Sequence, residues 1–254
     1  MKGLIYRELY LTRKTYISAF FTYLLITLLL VLINLSISFG NLRDIISAEN
    51  GESTKNTLFY ISVIIPSVVL YLMSAANFEL VDKDITTKWL TFQYTIPVST
   101  KKCAFVKILI ITVSIIIAFA LSMVNMALFC ALYGRSPDRI LMGVLTFLMP
   151  LTALGAIALL SLTLFFRNST AAAIAIFASA FAVTYPFMMK LIIASENDLD
   201  SFSLIPYLNR LADFTCLYPF IAIAVLAIGQ LLLTAALGRR DNYRIKEKKE
   251  AAEK

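Results

Sequence analysis

The sequence predicts an all-α membrane protein with six transmembrane helices, on three observations. Apolar residues make up 59% of the 254 residues and the mean hydropathy is +0.80, whereas soluble domains lie nearer 45–50% apolar. Six apolar runs recur along the chain, each long enough to cross a hydrocarbon core of roughly 30 Å. Lys and Arg gather in the segments that such a topology places on one side.

Residues 1–15, MKGLIYRELYLTRKT, mix charge with Ile5, Tyr6, Leu9 and Tyr10 on one broad helical arc. They predict an interfacial helix, an elbow leading into the membrane. Spans follow at about 16–39, 58–78, 105–133, 140–166, 170–189 and 215–238, and residues 239–254 form a charged tail. The whole chain, 1–254, reads as one transmembrane domain. The run Tyr16–Phe39 exceeds the apolar core of a signal peptide and no small-residue cleavage site follows it, which argues against cleavage. Pro66, Pro150, Pro186 and Pro219 are each expected to break a span, and the fourth run, holding Pro150 and Gly155, is expected to kink or tilt. In the fifth run Ala171, Ala175 and Ser179 fall at i, i+4 and i+8. Small residues at that spacing let helices approach closely, so they are the candidate dimer interface.

The longest polar interruption, Phe78–Lys107, lies between the second and third runs. Ile85, Trp89, Phe92 and Ile96 recur at i, i+4, i+7 and i+11, one face of a short helix. Asp84 is placed to cap it, Pro97 to end it, and Ser99 to cap the helix that follows. Two readings fit that face: a linker lying on the headgroups, or a contact surface for a partner. A second interruption, 190–214, carries Glu196, Asp198, Asp200 and Asp213 together with Phe202, Ile205, Tyr207 and Leu211. It is expected to dip back as short helices over one mouth of the bundle; a surface loop with an amphipathic patch is the alternative.

With the N-terminus inside, 17 of the 23 Lys and Arg residues fall on the inner side. This predicts cytoplasmic termini, a cytoplasmic 78–107 stretch and a multi-pass cell-membrane protein. The net charge of +7 is thereby explained by topology, and no nucleic acid is implied.

No histidine is present, which removes the commonest general base and a common metal ligand. The three cysteines form no CxxC. Cys103, Cys130 and Cys216 read as small buried hydrophobes, with a Cys130–Cys216 pair conceivable if both ends face outside. No span carries a charge at its middle, which argues against an ion-coupled carrier. The intramembrane polar groups are neutral: Asn34, Asn77, Ser122, Asn125, Thr163, Thr184 and Gln230. Interhelical hydrogen bonding accounts for most of them, and Asn34, Asn77 and Asn125 are pathway candidates. No phosphate-binding glycine loop occurs, so this chain is not expected to hydrolyse a nucleotide or act as an enzyme by itself.

MKGLIYRELYLTRK followed by a span, and KWLTFQYTIPVSTKKCAFVKIL after the second span, resemble the corresponding parts of ABC-2 type permeases. The matching residues are Ile96, Pro97, Val98, Ser99, Lys101, Val106 and Lys107. Ile96 stands where that family usually has Leu, and DKDITTK lacks the usual glycine. The resemblance implies an N-terminal elbow, a coupling helix between spans two and three, and a re-entrant segment before span six. It also implies a second permease subunit, with separate ATPase subunits that carry ATP and Mg and dock on the coupling helix. Asp84, Ile85, Lys88, Trp89 and Phe92 would be the ATPase-coupling residues. Within the family, the chain is most similar to compact Gram-positive exporters of amphipathic peptides such as phenol-soluble modulins or bacteriocins. A self-contained channel or ion-coupled carrier, and a non-transport membrane assembly factor, remain the alternatives.

Overall fold

The computed structural model describes residues 2–39, 51–75, 99–166, 174 and 205–252. Among these residues all regular structure is helical: α1 (Lys2–Phe39), α2 (Gly51–Ala75), α3 (Thr100–Tyr133), α4 (Arg139–Phe166), α5 (Ile205–Asp213) and α6 (Tyr218–Ala252). Five of them, all but α5, are long and apolar enough to cross a membrane. The chain is therefore a polytopic helical membrane protein. The expected fifth span, with Ala171, Ala175 and Ser179, lies outside the described residues, as do Asn77, Thr184, Pro186 and the whole of Asp84–Ile96.

Two helices run past their expected spans. α1 runs from Lys2 to Phe39 without interruption, so residues 2–15 lead helically into the first span. Its apolar arc also faces outward. Tyr6 and Tyr10 are 73% and 51% exposed, whereas Glu8 and Thr12 are buried. α6 likewise continues through the charged tail to Ala252.

The prolines do not all break their spans. α2 passes through Pro66 and α4 through Pro150, and Pro219 falls in the first turn of α6, where no intrahelical bond needs its N–H. Ser99 occupies the cap position of α3 with extended backbone, but its side chain makes no capping bond. Its carbonyl instead accepts from the N–H groups of Lys102 and Cys103. α3 ends at Gly134, which takes the left-handed conformation (φ 62°). Its N–H bonds the Ala131 carbonyl while that of Arg135 bonds Cys130, the paired closure that favours glycine at this place.

Two buried clusters form the interior. One joins Tyr71, Ile111, Ile157, Leu160 and Leu233 across α2, α3, α4 and α6. The other joins Leu30, Phe59, Val63, Phe129 and Leu145 across α1, α2, α3 and α4. Around them, the outer faces stay apolar: Phe21, Leu25 and Leu28 of α1, Val124 of α3 and Leu231 of α6 are all exposed. Lipid tails are as apolar as these side chains, so the helices are held together by close packing and interhelical hydrogen bonds.

Glycine permits the closest approaches. A β-carbon on Gly143 would lie 2.6 Å from the backbone of Ala212, and one on Gly229 would lie 2.4 Å from Ile157. The first contact seats α5 on the opening turns of α4. The second seats α6 along α4. Gly155, by contrast, has open space beside it.

Candidate functional site

α1 and α3 run parallel and in register. Lys107 donates to Glu8 (Nζ to Oε1, 3.5 Å) near their beginnings, and the Tyr133 hydroxyl donates to Asn34 Oδ1 near their ends. Each pair is separated by 99 residues in sequence. The two pins are 26 residues apart on either helix, roughly 39 Å at 1.5 Å per residue. That is close to the full thickness of a bilayer with its headgroups, about 40–45 Å.

The Glu8 pin is buried: Glu8 and Lys107 are each 4% exposed. Arg7 also donates to Glu8 Oε1 at 2.9 Å, and the Thr12 hydroxyl donates to the Glu8 carbonyl at 2.9 Å, which closes the first turns of α1 around the pair. Burying two opposite charges is tolerable only when they meet. Sequence reading assigned Lys107 to the polar stretch and gave Glu8 no role. The available signal was Glu8 itself, the lone acidic residue in the first forty.

The far pin belongs to a buried polar cluster. Asn34 Nδ2 donates to the Leu30 carbonyl at 2.9 Å and to Ser62 Oγ at 3.2 Å. Asn125 Nδ2 donates to the carbonyls of Ser62 (3.3 Å) and Val63 (3.4 Å). The reason lies in Pro66. A proline within a helix has no N–H for the carbonyl four residues earlier, and that residue is Ser62. An amide on α3 thus supplies the donor that α2 lacks. Two further polar atoms at this level, Asn125 Oδ1 and Ser122 Oγ, are buried with no hydrogen-bond partner.

At the second helical proline the freed carbonyl and the bonded one are neighbours rather than the same group. Pro150 leaves the Thr146 carbonyl without its intrahelical donor, and the buried Tyr71 hydroxyl donates to the adjacent Leu145 carbonyl at 3.1 Å. At the same end of the bundle, Tyr60 donates to Asp138 Oδ2 at 2.5 Å. Arg139 pairs with Asp213 at 2.7 Å, joining α4 to α5.

The neutral polar residues of the spans therefore divide. Asn34, Asn125 and Gln230 (to the Lys101 carbonyl, 3.4 Å) bond between helices. Thr163 bonds its own helix at Leu159. Of the pathway candidates, Asn34 and Asn125 converge on Ser62. The three cysteines are free: Cys103 and Cys130 are buried, and Cys216 is exposed. Among the described residues no cluster of carboxylates and thiols could hold a metal ion. No family model, no curated protein and no solved structure matches the chain.

Proposed function

We propose that the chain is the transmembrane permease subunit of an ATP-binding-cassette exporter of the ABC-2 type. It pairs with a second permease, most simply a copy of itself, and with separate ATPase subunits. Together they move an amphipathic substrate of the peptide class out across a bacterial cell membrane. ATP and Mg act on the partner ATPase, and this chain carries no catalytic residue.

The observation that carries this reading is the shared register of α1 and α3. It sets the N-terminal residues and Thr100, the first residue of α3, at the same end of the bundle. The stretch with the apolar face of Ile85, Trp89 and Phe92 therefore enters α3 beside the N-terminus. The basic N-terminal segment argues that this end faces the cytoplasm, where an ATPase is found. The placement of α5 supports the re-entrant segment. Asp213 meets Arg139, Ala212 meets Gly143, and Tyr218 packs on Phe147, so α6 begins about two turns into α4. Asn34 and Asn125 close the bundle at the opposite end.

The test is biochemical. The chain, and then its Trp89→Ala variant, is co-expressed and purified with candidate ATP-binding-cassette ATPases from the same source. The wild type should co-purify and stimulate hydrolysis; the variant should insert and fold but release the ATPase or uncouple it. If the wild type binds no ATPase, the exporter reading fails. If Trp89→Ala binds and couples normally, the docking face lies elsewhere.

A further inference from the structure

Alongside the Glu8 pin and inward from it, α1 and α3 leave a groove with a volume of about 310 Å³, lined from Ile5 to Phe20 on α1 and from Leu109 to Leu121 on α3, with Leu70 of α2 beside them. The lining is apolar. Its one serine, Ser114, bonds the carbonyls of Ile110 and Ile111 in its own helix. We propose that this groove binds one acyl chain of an anionic phospholipid, with the headgroup at the N-terminal end of the bundle.

Three observations carry the assignment. The first is length. Leu109 to Leu121 covers roughly 18 Å of helix, a little more than half of a hydrocarbon core of about 30 Å. The groove is one leaflet deep. The second is width. Spread over that length, the volume gives a cross-section on the order of 20 Å², room for a single alkyl chain along the furrow. The pins hold α1 and α3 at both ends, so the chain is contacted from two helices at once, where an ordinary boundary lipid meets one convex surface.

The third observation is charge. Lys2 and Lys102 are exposed at the end of the groove nearest the Glu8 pin, and Arg13, Lys14 and Lys101 are exposed on other faces of the neighbouring turns. Among residues 2–16 and 99–107 the single acid is Glu8, which Arg7 and Lys107 already engage. Clustered cations beside a membrane segment attract an anionic headgroup. This inference is independent of the exporter reading.

The test places photoreactive benzoylphenylalanine at Val113, on the open side of the groove, in the full chain in native membranes. Irradiation should give a phospholipid adduct detected by mass spectrometry. A crosslink to a second copy, a crosslink into residues 167–204, or no adduct overturns the proposal. After reconstitution in equal phosphatidylglycerol and phosphatidylcholine, the adduct should be enriched in phosphatidylglycerol. Lys2→Gln with Lys102→Gln should remove that enrichment, and equal labelling of the two lipids by the unaltered chain overturns the anionic assignment. Ile117→Trp, at an exposed position that packs against no core, should fill the groove and abolish the adduct. An adduct that survives Ile117→Trp comes from boundary lipid and also overturns the proposal.

Discussion

The amide of Asn125 reaches across from α3 to the carbonyl of Ser62, which Pro66 leaves without a donor inside α2. The break in one helix is therefore closed by a side chain of another. Asn125→Ala should lower stability by about 0.5–2 kcal/mol, the span of interhelical hydrogen bonds in membranes. Pro66→Ala restores the missing N–H, so the double variant should lose less than the sum of the single changes. Thermal unfolding in detergent of the four proteins measures this. Strict additivity would show that the proline and the amide are unrelated.

The Glu8–Lys107 pair makes a contrasting prediction. Removing the shared carboxylate by Glu8→Gln leaves Lys107 buried and should cost about 3–5 kcal/mol, whereas Lys107→Met leaves Glu8 on Arg7 and should cost less. Replacing both with Met should restore most of that loss. The same unfolding assay decides, and a double variant as unstable as the worse single variant would refute the paired-burial account.

Three glycines should respond differently to one added methyl. Gly143→Ala meets the backbone of Ala212, which cannot yield without displacing α5, and a loss of about 1–3 kcal/mol is expected. Gly229→Ala meets the end of the Ile157 side chain, so Ile157→Val should relieve part of its cost. Gly155→Ala meets nothing and should be neutral or stabilising by up to about 1 kcal/mol. Melting temperatures of the three variants should fall in that order, with Gly143→Ala lowest.

Cysteine chemistry tests topology. Cys216 is exposed while Cys103 and Cys130 are buried. A small permeant maleimide should therefore modify Cys216 well before the others in the folded protein. With the termini inside, an impermeant maleimide applied to intact cells should reach a cysteine placed at Lys55 but not one at Lys14. The reverse pattern would invert the membrane orientation.

Helical class and the positions of most spans were legible because lipid imposes a long apolar run on each crossing helix. Helix ends were not. Charge marked residues 2–15 and 239–252 as lying beyond the spans, but charge does not stop a helix from continuing. Glu8 was overlooked because its burial depends on Lys107, 99 residues away. Asn34 and Asn125 could be named from sequence as intramembrane polar groups. Their meeting at Ser62 could not, because it depends on which faces of α1, α2 and α3 pack together. Gly143 and Gly229 were missed for the same reason, and Gly155 drew attention only by lying near Pro150.

The equal spacing of the two pins has a thermodynamic consequence. While Asn34 holds Tyr133, Glu8 and Lys107 face each other at a high effective concentration, and the reverse holds equally. Each bond therefore raises the formation constant of the other, even though a membrane's thickness separates them. A signal that opens one end of this helix pair need not travel through the apolar side chains between. It weakens the opposite end by removing part of the tether that keeps its partners together.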